Sequence, residues 1–472
     1  MKRRIFIKNL FFLSTASFVL NSVYINRVHS AIVRGIGYNR VCNPEMFGAV
    51  GDGVNDDSAA MEQCFRSKCD SIVFRRGAKY VWKNKVTITG KVSVDATDAE
   101  IICDGVFLEV IDGAGSDWNG GILSTFTTPY TIMYDDDWNI LEKGQIGHGR
   151  LPFNDEHRVD DEYKQQRLGC CLLFTSSDET PQKGLKVNGL KSTCGALVIA
   201  GYTDVNIHDC YMRGGGHIAC ISIINGSKEA LLWGYDNDDL DISAFEFARG
   251  YNHKVSNCYL YECANNGLYI TGSDCVIVDG CNFVNNGESG LKTGQYVKRW
   301  WTSDNRCCTN VSISNCSATG QYYDGFDLQN AFGSGSKNLK NSYLTCKNNI
   351  STKNRRTGFI SQGGGNLFVN CYAEDNGIHG MLSNQSKSVK MIGCVMKNNC
   401  RIFNGIEIGI CGPDSTMESC IITHTNNERK VLLISHTIGD QEVSNFYGKS
   451  IRNNFSDINK CFFDPRVTII DE

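Results

Sequence analysis

The sequence predicts a right-handed parallel β-helix, in which short strands stack rung upon rung into one long coil. Two observations predict it: a phrase that recurs through the central and C-terminal two thirds of the chain, and an N-terminal motif rich in glycine and aspartate. The composition agrees, because 48 glycines against 6 prolines suit short strands joined by tight turns in which Gly and Asn adopt positive φ angles.

The recurring phrase is a cysteine followed nine residues later by a glycine and an apolar residue. Its clear copies are Cys258 with Gly267, Cys281 with Gly290, Cys316 with Gly325, and Cys371 with Gly380. Looser copies surround Cys210, Cys346, Cys394 and Cys420. A phrase that returns at intervals of a few tens of residues is typical of a solenoid, whose repeats pack only on their neighbours.

Each copy also predicts its own local structure. The residues before the cysteine alternate between apolar and polar, as in 311–316, which indicates a strand. The Asn-rich run before the glycine favours a turn, and the apolar residues after the glycine favour a second strand. Each rung is therefore expected to contain two or three strands, stacked at the ~4.8 Å spacing of hydrogen-bonded strands.

The 23 cysteines are open to three interpretations. An exported protein often uses cysteines for a disulfide framework, and clustered thiols can also bind metal. The sequence has no Cys-x-x-Cys pair, and many cysteines fall in one slot of the repeat. We therefore expect a buried ladder of reduced thiols, since cysteine behaves as a compact hydrophobic residue.

Residues 1–31 have the layout of an export signal, with a charged start, an apolar stretch and a polar exit. Arg3 and Arg4 resemble the twin-arginine signature, read by the route that exports folded proteins. An ordinary signal or an uncleaved anchor is the alternative. No other stretch is apolar and long enough to predict a permanent membrane span, so the expected location is periplasmic or extracellular.

The N-terminal motif covers Phe47–Ala60, a glycine-rich turn with paired aspartates at its end. Asp56 or Asp57 is expected to cap a short helix that ends near Cys69 and covers the open end of the coil. First strands should follow at 71–74, 80–82 and 86–88. The expected layout is a cap with first strands in 40–110, the β-helix with loop insertions in 111–430, and a C-terminal cap or tail in 431–472.

This order of turn, paired aspartates, helix and strands resembles the pectate-lyase-like superfamily, including phage tailspike depolymerases and alginate C5-epimerases. With the rungs, the resemblance covers roughly residues 40–430. It implies a β-helix whose long face binds a polysaccharide and cleaves or epimerises it. The signatures of pectate hydrolases are missing, and Asp324–Gln329 stands where the epimerases carry Asp-Pro-His-Glu, so the reaction does not transfer.

The glycine sets a register for the strand that follows it, because side chains alternate between the two faces. The residue directly after the glycine should point inward. The next residue should point outward, which gives the column Tyr269, Lys292, Asp327, Ile360, Leu382 and Glu407. Down the helix this brings residues that are distant in sequence within one or two rungs of each other.

The register places a cluster of charged residues on neighbouring rungs. Asp324 and Asp327 share a rung, with Lys292 before them and Arg355, Arg356 and His379 after them. Paired carboxyl groups can act as acid and as base or nucleophile in glycoside hydrolysis, whereas a lyase would use a base together with cations. The expected substrate contacts are Tyr269, Tyr322, Tyr323, Glu374, Glu407, Trp300 and Trp301. A solvated polar face is the alternative interpretation.

Other features are weaker. The carboxylates Asp236, Asp238, Asp239 and Asp241 could bind Ca²⁺ or form an ordinary acidic loop, and no cofactor is otherwise expected. Glu246, Arg249 and His253 form a second-choice site, and 155–163 is a charged insertion that could wall a groove. The paired tryptophans could stack on sugar or fill a subunit interface.

The net charge of −4 gives no basic footprint for nucleic acid. The sequence favours an exported polysaccharide depolymerase of lyase or hydrolase type. The alternatives are a tailspike depolymerase that forms a homotrimer, a uronate C5-epimerase, and a carbohydrate-binding solenoid without catalysis.

Overall fold

The computed structural model describes most of the chain from residue 40 onward. The described residues are 40–126, 132–134, 148–150, 169–178, 180–214, 219–225, 249–294, 307–330, 341–402, 405–412, 414–424, and short segments between 432 and 470.

Three long sheets run the length of the coil, and all neighbouring strands within them are parallel. We name the sheets A, B and C in the order in which the chain visits them.

Sheet A consists of Val41–Cys42, Ser71–Val73, Ser93–Asp95, Ser116–Asn119, Gln182–Asn188, Tyr202–His208, Gly250–Ser256, Ser273–Asp279, Thr309–Ser314, Thr345–Lys347, Leu367–Val369, Lys390–Ile392, Ser415–Glu418, Gly448–Ile451 and Val467–Ile470. Sheet B consists of Asp52–Asp56, Lys79–Val81, Glu100–Ile102, Ile122–Ser124, Lys191–Ser192, Tyr211–Arg213, Tyr259–Tyr261, Asn282–Val284, Ser317–Thr319, Ile350–Thr352, Tyr372–Glu374, Val395–Lys397, Ile421–Thr423 and Asn454–Phe455. Sheet C consists of Val86–Thr89, Gly105–Ile111, Cys170–Thr175, Gly195–Ala200, Ala219–Ile224, Asn266–Ile270, Leu291–Gly294, Phe326–Gln329, Thr357–Gly364, His379–Lys387, Ile406–Cys411, Leu432–Ser435 and Cys461–Phe463.

The N-terminal motif closes the first end of the coil. A 3₁₀ turn at Pro44–Phe47 precedes the helix Ser58–Arg66, which buries Met61, Cys64 and Phe65. Asp57 stands at the N-cap, but its side chain does not cap the helix. Its carboxylate instead accepts the backbone N–H of Val50 at 2.6 Å, which holds the glycine-rich turn against the helix.

Two small antiparallel pairs lie beside the coil, Ile132–Tyr134 with His148–Arg150 and Thr437–Ile438 with Gln441–Glu442. The last described strands, from Leu432–Ser435 to Val467–Ile470, continue the three sheets. None of the described helices is long and apolar enough to cross a membrane.

The cysteine slot lies at the corner between sheets A and B, directly before each strand of sheet B. Its buried thiols are Cys210, Cys258, Cys281, Cys316, Cys371, Cys394 and Cys420. The residue before each cysteine adopts a left-handed conformation, as Asn257 and Asn315 do at φ 53° and 54°. Asn and Gly tolerate this conformation best, which explains why they precede cysteine in the phrase. The reduced ladder is confirmed in this slot.

Two predictions about cysteine need correction. Cys346 lies in a strand of sheet A, and Asn349 occupies its rung of the slot, nine residues before Gly358. Four cysteines outside the slot form disulfides, Cys42 with Cys69 beside the N-terminal cap and Cys220 with Cys263 between two rungs. Neither pair was predicted, because the cysteines that form them lie outside the repeated phrase.

A ladder of amide side chains lines the corner between sheets B and C. Asn286, Gln321, Asn354, Asn376 and Asn399 are all buried, and each side-chain oxygen accepts the backbone N–H of the ladder residue one rung earlier, beginning with Cys263 for Asn286. The Asn-rich run before the glycine is therefore more than a turn signal. Its amides pair buried backbone groups that would otherwise be unsatisfied.

Candidate active site

The outer face of sheet C carries the column that the glycine register predicted. The inward residues Leu268, Leu291, Phe326, Phe359 and Met381 are fully buried, as expected. Strand pairing aligns Tyr269 with Lys292, Lys292 with Asp327, and Asp327 with Ile360 on the outer face. This face is nevertheless covered, since Tyr269, Lys292 and Asp327 are between 2% and 5% exposed.

Lys292 lies between two carboxylates. Its ammonium group donates to the carboxylate of Glu288 and stands 3.5 Å from Oδ2 of Asp327. The Nε2 of Gln329 donates to the same Oδ2 at 3.0 Å. Burial and the neighbouring charge of Glu288 raise the pKa of Asp327, while Lys292 opposes the rise. One buried cation thus holds two carboxylates together on adjacent rungs.

Asp324 lies in the turn before the same strand. Its Oδ1 accepts the backbone N–H of Thr357 at 3.0 Å, and its Oδ2 is 3.8 Å from the guanidinium of Arg356. Burial raises the pKa of Asp324 to about 7, with Asp327 adding to the rise and Arg356 and the Thr357 N–H opposing it. A carboxyl group with this pKa can hold a proton near neutral pH and donate it.

The rim of the cluster is built from two Tyr–Arg pairs on adjacent rungs. The guanidinium of Arg355 lies 4.5 Å from the ring centre of Tyr322, and that of Arg356 lies 5.1 Å from the ring centre of Tyr323. The two tyrosine rings are 5.4 Å apart. Such cation–π contacts fix the arginines while leaving them accessible, and the Arg356 side chain is 42% exposed. Arg356 therefore connects the buried carboxyl group of Asp324 to the solvent at the corner between sheets B and C.

Four buried polar atoms on this face have no hydrogen-bond partner within the described part of the chain: Ser222 Oγ, Ser289 Oγ, Asp327 Oδ1 and Gln329 Oε1. Ser289 neighbours Glu288 in sequence, and Ser222 lies three rungs before Asp327, paired with Tyr269. Buried polar atoms are usually paired, so this concentration indicates a surface suited to hydroxyl-bearing ligands or ordered water.

Glu288 and Gln329 were missed by the sequence reasoning. The register was followed only from one residue before the glycine to two residues after it, whereas Glu288 stands two residues before Gly290 and Gln329 four residues after Gly325. The spacing from the glycine could have located Glu288. Tyr323 stands at the equivalent position, two residues before Gly325, and its backbone N–H donates to the carbonyl of Glu288. Aligning the turns two residues before each glycine would have placed Glu288 beside the cluster.

His379 lies two rungs after Asp324, at the start of its strand of sheet C. Its Nδ1 accepts the backbone N–H of Ile406 at 3.1 Å. Burial, assisted by the charge of Arg356, lowers the pKa of His379 to about 4, so the ring is neutral at pH 7. Tyr269, an expected substrate contact, packs into an apolar cluster with Cys171, Val198 and Ile224 and is 2% exposed.

Glu374 lies apart from the cluster, on the outer face of sheet B. Its carboxylate accepts from Lys397 at 2.6 Å and from the hydroxyl of Tyr372 at 2.5 Å. These bonds form a local surface network that does not include Asp324 or Asp327.

The outward placement of Glu407 was wrong. Strand pairing sets Ile406 against His379 and Ile408 against Met381, so Glu407 lies opposite Gly380 and points into the coil. Its carboxylate is fully buried and accepts from Asn399 and from His424, both at 2.6 Å. Cys394 and Gly405 are eleven residues apart instead of nine, so the glycine no longer marks the register there.

Of the second-choice site residues, the two that the structure describes lie away from the cluster. Arg249 donates to the Ser273 carbonyl and to Thr309 beside sheet A, and His253 is buried inside the coil. Outside the described residues lie Trp300, Trp301, Asp236, Asp238, Asp239, Asp241, Glu246 and the insertion 155–163. Within the described part of the chain, no group of three or more His, Cys, Asp or Glu side chains could hold a metal ion. The calcium hypothesis stays a prediction.

The comparisons identify the fold. Residues 243–462 match the family described as right-handed beta helix region. The chain is a right-handed parallel β-helix. This confirms the predicted fold class. No curated protein matches the sequence.

Solved structures with the same coil include two tailspikes and an epimerase. The tailspike receptor-binding domain of siphovirus 9NA is 15% identical with a TM-score of 0.62, covering 92% of this chain and 76% of its own. The receptor-binding protein of bacteriophage Det7, a podoviral tailspike in a myovirus, is 14% identical with a TM-score of 0.62, covering 93% and 78%. The A-module of the Azotobacter vinelandii mannuronan C-5 epimerase AlgE4 is 12% identical with a TM-score of 0.53, covering 91% and 99%. At these identities the likeness shows the fold alone.

Proposed function

We propose that the protein is a polysaccharide depolymerase that hydrolyses glycosidic bonds on the outer face of sheet C. The observation that carries the proposal is the pair of buried carboxyl groups, Asp324 and Asp327, on one rung beside Lys292. The structural neighbours support a glycan ligand, because their names describe receptor-binding tailspikes and a mannuronan epimerase.

The two carboxyl groups have different surroundings and therefore different roles. Burial raises the pKa of Asp324 to about 7, so it is the proton donor to the leaving oxygen. Asp327 faces the ammonium of Lys292 at 3.5 Å and has an Oδ1 atom with no partner among the described residues. This favours a carboxylate that attacks the sugar or activates a water molecule.

A lyase is the second candidate, because cations also lie at the site. Arg356 is accessible and could stabilise the enolate of a uronate. A lyase also needs a base, however, and Lys292 already bonds Glu288 and stands beside Asp327. His379 is neutral but accepts the Ile406 N–H with its Nδ1. The proton-bearing Asp324 therefore favours hydrolysis over elimination.

The setting of this activity is also part of the proposal. The signal-like residues 1–31 favour an exported enzyme acting in the periplasm or outside the cell. The tailspike neighbours favour the alternative of a virion component that assembles as a homotrimer. Sedimentation of the full chain distinguishes the two, since a monomer contradicts the tailspike alternative.

The test is incubation with a panel of alginate, polygalacturonate, bacterial capsular polysaccharides, lipopolysaccharide O-chains and dextran. New reducing ends without ultraviolet absorbance indicate a hydrolase, and an unsaturated product indicates a lyase. Altered residues in an intact chain indicate an epimerase, and retention without any product indicates a binding solenoid.

The variants Asp324→Asn and Asp327→Asn are each expected to lower kcat by about 10²–10⁴, the usual loss when an acid or base is removed. The matched control is Asp279→Asn, which removes a carboxylate from the outer face of sheet A. Full activity in the Asp324→Asn/Asp327→Asn double variant would show that the chemistry lies elsewhere.

A further inference from the structure

A patch of three tyrosines lies on the outer face of sheet B, on the two rungs that directly precede the Lys292 rung. Tyr211 pairs with Tyr259 across these rungs, and Tyr261 follows two residues later on the same face. The rings of Tyr211 and Tyr259 are stacked, with centres 4.9 Å apart and planes 9° from parallel. The ring of Tyr261 is tilted against both, at 5.1 and 5.4 Å.

An ion pair borders this patch. Arg213 lies on the strand of Tyr211, and its Nε donates to the carboxylate of Glu262 at 2.6 Å. The two side chains are 29% and 24% exposed, so each presents polar atoms to solvent. We call Tyr211, Tyr259, Tyr261, Arg213 and Glu262 the tyrosine platform.

The composition of the platform points to a sugar ligand. Tyr211 is 47% exposed, which is a large aromatic surface to leave in water. Aromatic rings offer flat apolar faces, and phenol, carboxylate and guanidinium groups offer hydrogen bonds at their edges. Sugar rings combine C–H faces with hydroxyl edges, and match that arrangement. The paired charges of Arg213 and Glu262 cancel, so the platform has no preference for an anionic partner.

The position of the platform relates it to the candidate active site. It spans the second and first rungs before Glu288 and Lys292, so the rung spacing of ~4.8 Å sets its two strands about 10 Å and about 5 Å from that rung along the coil. The corner between sheets B and C joins them, because Glu262 is followed by Asn266, whose amide donates to Glu288 at 3.0 Å. A single extended polymer lying along this corner contacts both the tyrosine platform and the candidate active site.

We propose that the tyrosine platform is a second glycan-binding site, which holds the substrate polysaccharide several sugar units away from the bond that is cleaved. This inference rests on the proposed function for the identity of the substrate. The platform touches no reacting atom, and its role is to retain a long chain while the cluster around Asp324 acts on it.

The test compares the Tyr211→Ala/Tyr259→Ala variant with wild type on long polymer and on short oligosaccharides of the same repeat. We expect KM for the polymer to rise about tenfold, the size of one lost aromatic contact, with kcat unchanged. Kinetics on the short oligosaccharides should stay as in wild type. The Tyr211→Phe/Tyr259→Phe variant keeps the ring faces and should restore most of the polymer affinity.

The matched control is Tyr251→Ala, which removes another exposed tyrosine, 52% exposed, from sheet A. Polymer KM equal to wild type in the alanine variant would overturn the platform, and so would an equal loss on oligosaccharides. These kinetic comparisons are made only with variants whose melting temperature equals that of wild type.

Binding is measured separately in the Asp324→Asn/Asp327→Asn background, by affinity electrophoresis in gels that contain each polymer of the panel. If a polymer retards this protein and the alanine substitutions abolish the retardation, the platform holds even where wild type cleaves nothing, and only the depolymerase proposal fails. Cleavage that is unaffected by the alanine substitutions contradicts the platform alone. Retardation by none of the polymers contradicts the platform.

Discussion

The amide ladder inside the coil and the cluster on the outer face of sheet C are both buried and polar, but they differ in how their polar groups are satisfied. In the ladder, each amide oxygen accepts a backbone N–H from the preceding rung, as Asn354 does from Gln321. In the cluster, three carboxylates crowd around Lys292 and Arg356, and Asp327 Oδ1 has no partner among the described residues. Complete pairing stabilises a fold, whereas incomplete pairing with raised pKa values is typical of a functional site.

The largest expected effect on folding comes from breaking the ladder. In Asn354→Ala the backbone N–H of Gln321 loses its acceptor, and the bonds from Asn354 to Asn376 and Ser351 are lost with it. We expect the free energy of unfolding to fall by about 3 kcal/mol, because buried groups are left unpaired. Thermal melting followed by circular dichroism measures the loss.

The comparison variant is Ser312→Ala, which shortens a polar side chain on the outer face of sheet A and should change the melting temperature by less than a degree or two, as surface substitutions usually do. If Asn354→Ala melts as wild type does, the ladder contributes nothing that water cannot replace. Where the variant does fold, its kcat should equal that of wild type, since no ladder amide contacts Asp324 or Asp327.

Removing a carboxylate from the cluster should raise the free energy of unfolding, the opposite of the effect expected for Asn354→Ala. The pKa of Asp324 in the folded state is about 7, against an ordinary value of 3.8. Between these values the folded chain holds a proton that the unfolded chain has released, so this group makes the protein less stable as pH rises from about 4 to 7. Asp324→Asn abolishes that loss while its side-chain oxygen can still accept the Thr357 N–H.

We therefore expect Asp324→Asn to be more stable than wild type at pH 8 by on the order of 2 kcal/mol, and nearly equal to it at pH 4. Melting temperatures across this pH range measure the difference. Asp279 serves as the control, because hydrogen bonds from Ser314 and Asn315 lower its pKa, so Asp279→Asn should give no gain at pH 8. A variant that is less stable than wild type at pH 8 would show that Asp324 is a structural carboxylate.

The regular geometry of the rungs could be predicted from the sequence, whereas the surroundings of the cluster could not. The strand period, the glycine register and the nine-residue spacing located the inward column, Lys292 and Asp327, because side chains on stacked strands repeat from rung to rung. The same nine-residue spacing identifies Asn349 as the slot residue that precedes Gly358, although a cysteine was expected in this slot. Regular geometry was therefore predictable wherever the spacing held.

Three things were not predictable, each for a physical reason. Glu407 was misplaced because its rung is longer, so counting from a glycine no longer gave the face. The burial of Tyr269 depends on packing against Cys171, Val198 and Ile224, which are distant in sequence, and no local pattern records such contacts. The raised pKa of Asp324 depends on that burial and on Arg356, so its proposed role as an acid needed the structure.

The smallest effect concerns Arg356, and it tests how the rim adjusts the cluster. The guanidinium lies 3.8 Å from Asp324 and opposes the rise in the pKa of that carboxyl group. In Arg356→Gln this opposition is removed, so the pKa of Asp324 should move further above 7. If protonated Asp324 is the acid, the alkaline limb of the kcat/KM profile should shift upward by less than about one pH unit, because an exposed arginine is screened by water. The comparison variant is Arg355→Gln, since Arg355 stacks on Tyr322 and forms no ion pair with Asp324 among the described contacts. This variant should lower polymer affinity and leave the alkaline limb of the kcat/KM profile in place. A limb that moves downward in Arg356→Gln, or equally in both variants, would mean that a group other than Asp324 supplies the proton.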